Sequence, residues 1–231
     1  ARDPLDADLR RLAVEALGMV GPDASEGVPY LIEILSKSEQ PVAMRAAAGE
    51  ALGRIAPQAP HVEKALLSAS RDRHDAVRHA ALESLLTVVL TKGSKEGVAA
   101  LIAALRNPAD TEVAAAALCC LGTDSVEPLA QALARDGDVS VRLTAAGTLG
   151  RLGAPAKQAA DTLARAARKD TSPEVRAEAM RVLALLKADD GAAIDAFAAG
   201  LGITGVSAAA EAALAALRTA SLPALRKALT A

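Results

Sequence analysis

Apolar residues recur along this chain at i, i+3 and i+4, the spacing of one buried helical face. The stripes are of two alternating kinds. One is built on Leu and Ile: Leu31, Ile34, Leu35; Leu101, Ile102, Leu105; Leu129, Leu133; Ala159, Leu163, Ala166; and Leu222, Leu225, Leu229. The other is rich in Ala and opens on an apolar residue followed by Arg. Its clearest copies run from Met44-Arg45 to Leu52-Gly53 and from Val141-Arg142 to Leu149-Gly150. Further copies start at Leu9-Arg10, Val77-Arg78, Val113-Ala114, Val175-Arg176 and Ala209-Ala210. The Arg-equivalent positions are 10, 45, 78, 114, 142, 176 and 210, with spacings of 35, 33, 36, 28, 34 and 34 residues. A period of about 34 residues suits two helices of about 12 residues and two turns.

Each unit therefore reads as a helix A, a short turn and a helix B. Polar or breaking residues fill the turns, as in 36–41, 106–108, 136–138 and 170–173. Pro29, Pro128 and Pro223 fall in first turns of helix A, where a missing N–H is harmless. Gly18, Gly53, Gly122 and Gly150 follow the last Leu of helix B and are expected to end it. Units are expected near 1–21, 22–57, 58–92, 93–123, 124–153, 154–188 and 189–218, with a terminal half-unit 219–231, in one solenoid domain spanning 1–231. A two-helix unit cannot bury its stripe alone and must lean on its neighbours.

Composition agrees. Ala supplies 58 of 231 residues, while Tyr30 and Phe197 are the whole aromatic content. Ala is the strongest helix former, and small side chains let helices approach to about 8 Å. Charge nearly cancels, 26 Lys and Arg against 28 Asp and Glu, so no basic field points to nucleic acid. The apolar stretches are broken by charge and none is expected to span a membrane. The chain opens Ala1-Arg2-Asp3-Pro4, without Met or a signal peptide, and is read as processed or as a segment of a longer array.

The recurring Asp-x-x-Val-Arg-x-x-Ala-Ala-x-Ala-Leu-Gly resembles the HEAT-like repeats named after phycobilisome lyases, within the armadillo-like superhelix class. The resemblance covers nearly the whole chain. It implies an all-α, right-handed α–α superhelix of about six to seven two-helix units. It further implies a non-catalytic protein-interaction scaffold, with a bilin-lyase-like or other enzyme-associated module as the alternative. No enzyme activity and no cofactor are expected.

Arg45, Arg78, Arg142 and Arg176 each begin a helix B, and Glu39, Asp72, Asp136 and Asp170 stand six residues earlier. In HEAT-type repeats such columns form an inter-repeat ladder, and these look like one. An Arg at a helix N-terminus opposes the dipole, and a carboxylate bond offsets that. A catalytic or anion-binding Arg row is the lesser alternative. Ala114 and Ala210 break the column, so those junctions are expected to be less tightly specified.

In such solenoids helix B lines the concave side. Positions +1, +5 and +9 from the Arg column should face outward there. Glu50, Arg54, His79, Glu83, Arg151 and Arg181 are the candidate contacts for a protein or peptide partner. An idle solvated face is the alternative, since the aromatic anchors of strong interfaces are missing.

Hidden chemistry is sparse. His74 and His79 lie five apart and do not share a helical face, so a metal site is not expected. The class includes a di-iron hydroxylase built on His-Glu pairs and a DNA-base glycosylase with basic, aromatic clefts. No His-Glu dipeptide occurs here, and Trp is absent. Cys119 and Cys120 are adjacent and point about 100° apart on a helix, so no disulfide between them is expected; Cys120 aligns with Ala51 and should be packed. Leu5, Leu9 and Leu12 at one end, with Leu222, Leu225 and Leu229 at the other, leave unfinished apolar faces that suggest end-to-end self-association.

Overall fold

Interleaved Ala and Leu stripes bury best when each helix has a neighbour on both sides, and the computed structural model shows that arrangement. It describes residues 4–188 and 191–217. The expectations for 219–231, including Pro223, Leu222, Leu225 and Leu229, lie outside the described residues. Thirteen α-helices and three short 3-10 segments account for the described fold, which contains no strand.

The chain divides into two compact units, Ala1–Leu121 and Gly122–Ala231. The first holds α1 (Pro4–Val20), α2 (Val28–Ser36), α3 (Val42–Ile55), α4 (Pro60–Ala69), α5 (Asp75–Lys92), α6 (Lys95–Ala104) and α7 (Thr111–Leu121). Here α2, α4 and α6 form one layer and α1, α3, α5 and α7 the other, each helix packing on its layer neighbour and its pair mate. The second holds α8 (Val126–Arg135), α9 (Val139–Leu152), α10 (Ala160–Lys169), α11 (Pro173–Leu185), α12 (Gly191–Gly200) and α13 (Ser207–Leu217). It repeats the scheme, with α8, α10 and α12 in one layer and α9, α11 and α13 in the other. The division follows α7 directly, where the Arg column is broken at Ala114.

Local signals set the helix ends. Ser94 and Ser172 cap α6 and α11 by accepting from the Gly97 and Val175 amides, and Asp138 caps α9 through Ser140. Gly93 closes α5 in the left-handed conformation, φ +68°. The layers meet over Leu31, Leu35, Leu66, Leu101, Leu129 and Leu163 from the A helices and Ala48, Leu52, Ala81, Leu85, Ala145 and Leu149 from the B helices, all buried. Phe197 is fully buried and Tyr30 is exposed.

Three of the four glycines read as helix ends do something else. Gly18, Gly53 and Gly150 lie inside α1, α3 and α9, eight residues after the Arg position. A Cβ on Gly53 would stand 2.6 Å from Ser84 Cβ, on Gly18 3.0 Å from Ala51 Cα, and on Gly150 2.9 Å from Val182 Cγ2. The bare backbone is thus the contact surface for the next helix B, at its position +6. Only Gly122, φ +60°, stands past a helix end as the pattern suggested. The stretch Thr111–Arg135 is long and apolar enough to cross a membrane by composition. It breaks at Gly122 into α7 and α8 and is half buried within the protein.

Candidate functional site

The Arg side chains at the start of helix B face two ways. Arg78 and Arg142 each reach back to their own turn and forward to the next repeat. Arg78 donates from Nη1 to the Asp72 carbonyl at 2.9 Å, Arg142 from Nη1 to the Asp136 carbonyl at 3.0 Å, and Arg176 from Nη1 to the Asp170 carbonyl at 2.7 Å. Forward, Arg45 pairs with Asp72. Arg142 grips Asp170 with both Nε, 2.8 Å, and Nη2, 2.9 Å. Arg78 grips Asp110 in the same bidentate way, at 2.7 and 3.0 Å. Such paired, parallel bonds fix orientation as well as energy.

Burial sharpens these pairs. Arg45, Arg78 and Arg142 are among the few buried charged side chains. Burial alone would raise the Asp72 carboxyl, but bonds from Arg45 and from the His74 amide and ring hold it at about 2. Burial opposes Asp170 as well, and bonds from Arg142 and the Ser172 amide again win and lower it. The hydrogen bonds to Asp110 and to Asp170 raise Arg78 and Arg142 respectively.

Two members expected in the ladder stand differently. Glu39 is exposed, and Arg45 spends its Nε on the Leu35 carbonyl at 3.0 Å. Asp136 contributes its carbonyl to Arg142, while its carboxylate accepts from the Asp138 amide at 2.9 Å. Arg176 meets no acid ahead, because the turn 201–206 contains none, and its buried Nε has no partner among the described residues.

The outward positions of helix B are accessible in the first unit. Glu15, Glu50 and Glu83, all at position +5, form an acidic row across α1, α3 and α5. Glu15 pairs with Arg11, and Glu50 approaches Arg54 at 3.5 Å. Glu83 is exposed. Between α1 and α3 lies an open groove of about 490 Å³ that includes Met19, Ala46, Glu50 and Arg54. His79 is drawn away from this face: its Nε2 lies 3.0 Å from both the Ala109 carbonyl and Asp110 Oδ1. In the second unit Arg151 and Arg181 are exposed, and Arg181 is held by Glu178 at 2.7 Å, a bond that raises its pKa.

The family model described as HEAT repeats matches residues 1–86, 28–122, 98–184 and 126–218. The chain belongs to the HEAT-repeat family. Its sequence matches no curated protein. Among solved structures it is similar to human deoxyhypusine hydroxylase in complex with glycerol, at 24% identity and TM-score 0.42, over 93% of this chain and 81% of that one. It is similar to an engineered protein at 20% identity and TM-score 0.43, over 84% and 97%. It is also similar to the complex of CpcE and CpcF of phycocyanin lyase from Nostoc sp. PCC7120, at 21% identity and TM-score 0.46, over 95% and 87%.

Within this HEAT-repeat frame, three features escaped the sequence reading. Asp110 occupies the ladder four residues before Ala114 instead of six. The Asn107 amide nitrogen donates to it at 2.8 Å. Ser84 is buried and donates from Oγ to the Gly49 carbonyl at 3.0 Å, joining α5 to α3. Cys120, expected to be packed, is exposed, and Cys119 is partly exposed. Ala51, Ser84 and Val182, at the same +6 position, are each buried against a Gly at position +8 of the preceding helix B, whereas position +8 of α5 is Leu86. The histidines do not gather: His74 bonds to Asp72 and His79 to Asp110.

Proposed function

We propose that this HEAT-repeat protein is a non-catalytic scaffold that receives a protein or peptide partner on its helix-B face. The observation that carries this reading is the acidic row Glu15, Glu50 and Glu83. It is repeated in register on helices whose spacing is fixed by bare-backbone contacts and the Arg ladder. A rigid frame presenting repeated charge favours recognition, because little ordering entropy is lost when a partner docks. Arg54 borders this row; Arg151 and Arg181 are the corresponding candidates in the second unit.

A photo-crosslinking residue at position 54 or 83 tests the reading, with position 64 on α4 as the comparison. Capture of the same polypeptide at 54 and 83, lost at 54 when Glu50 and Glu83 become Lys and at 83 when Glu50 becomes Lys, supports it. Equal capture at 64, or capture indifferent to those charges, contradicts it. Self-association through α1 belongs to the same proposal, since Leu9 and Leu12 are exposed there. Light scattering that shows only monomer at high concentration removes it.

A further inference from the structure

On the opposite layer, α8 and α10 leave a groove of about 320 Å³ between them. Its floor is the ladder pair Arg142–Asp170, in which every guanidinium nitrogen has a partner: Asp170, the Asp136 and Gly137 carbonyls, and the Thr171 hydroxyl. That floor is electrostatically settled. The rim is not. Arg135, Arg165 and Lys169 line the groove, all exposed, and none has an ion pair or hydrogen bond among the described residues. Among the described residues, Asp136 and Asp170 are the only acids in the lining, against four cations. Asp170 is neutralised by Arg142, and Asp136 is engaged through its carboxylate and carbonyl.

Arg165 and Lys169 are four residues apart on α10, one helical turn, so they repel each other at about 6 Å along the axis. Arg135 faces them from α8, across an interaxial distance of about 8–10 Å. Between the cations the wall is apolar, with Leu133, Ala134 and Ala166. The counterpart groove between α4 and α6 in the first unit carries Glu96 on its lining and a smaller excess of cations. The larger positive excess thus belongs to the second unit, in a protein whose formal net charge is −2.

We propose that this groove binds an acidic peptide segment of a protein partner, its carboxylates meeting Arg135, Arg165 and Lys169 and its small apolar side chains resting on Ala134 and Ala166. The groove is separate from the helix-B face and can be occupied with or without a partner there. Three exposed charge pairs of ordinary strength give about a tenfold effect together.

Fluorescence anisotropy of a labelled peptide of alternating glutamate and alanine, titrated with the full chain at low and high salt, tests this. Binding should weaken with salt, fall about tenfold in the R135Q/R165Q/K169Q variant and stay unchanged in K64Q, an exposed position on α4. The three exposed substitutions leave the core intact, which circular dichroism of the variant checks. Undetectable binding at low salt, or equal binding by the triple variant, overturns the proposal. So does tighter binding of a single-stranded oligonucleotide of equal charge, or displacement of the peptide by equimolar inorganic phosphate. Failure of the crosslinking test on the helix-B face leaves this result standing, and the reverse also holds.

Discussion

Ser84 Oγ donates to the carbonyl of Gly49 at 3.0 Å, across the seam between α5 and α3. One turn further along α3, Gly53 lies bare against the same serine. Together they define how closely two successive B helices pack. The G53A substitution would drive a Cβ into Ser84, and overpacking of this kind costs about 1–3 kcal/mol. The intrinsic helix preference for Ala offsets at most about 1 kcal/mol. We expect a net loss of about 1–2 kcal/mol in urea unfolding, largely restored in G53A/S84G. A stabilised G53A would show that the close approach is incidental.

Arg78 and Asp110 should tolerate little change. Removing one member of a buried pair leaves the other uncompensated, at about 3–5 kcal/mol. D110N is expected to lose at least half of that. R78K should not rescue, since an ammonium cannot reproduce the bidentate grip. R54A, on an exposed pair, is expected to change stability by less than about 1 kcal/mol. Denaturant midpoints of the three variants measure the contrast.

Acid should weaken the fold in a defined window. Asp72 sits at about 2, below its ordinary value of 3.8, so the folded state binds its proton less readily than the unfolded chain does. Its contribution is fully present above about pH 4 and disappears as pH falls through about 2. Asp170 and Glu63 are shifted in the same direction. Unfolding free energy followed from pH 5 to pH 2 should fall steeply, and D72N should flatten the slope. An unchanged slope in D72N would detach Asp72 from acid sensitivity.

Cys120 should react with a maleimide faster than Cys119, because it is the more exposed of the two. Mass spectrometry of partially labelled protein reads this directly. Replacing Leu86 by Gly should let α7 settle closer and slow labelling at Cys120. Faster or unchanged labelling in L86G would reject Leu86 as the spacer.

The two-helix period and the Ala-rich B helices were legible because each is written several times in register. One weak copy, such as Val113-Ala114, could then be placed by its neighbours. Positions used once were not legible. Asp110 is displaced by two residues from its column, and nothing local distinguishes it from an ordinary turn acid until Arg78 is seen to reach it. The glycines misled for a different reason: a Gly after the last Leu signals a helix end, yet the same residue is required wherever two backbones touch. Glu39 matched the acidic column by position, but Arg45 found the Leu35 carbonyl instead. His79 matched the outward face by spacing, and a carboxylate from the next repeat turned its ring aside.

Successive repeats are coupled through the ladder. A double-mutant cycle on Arg142 and Asp170, using R142A, D170A and the pair, isolates that coupling by equilibrium unfolding. A coupling energy of about 2 kcal/mol or more is the predicted result. A value below about 0.5 kcal/mol would mean that each repeat stands without its neighbour's charge, and would contradict it.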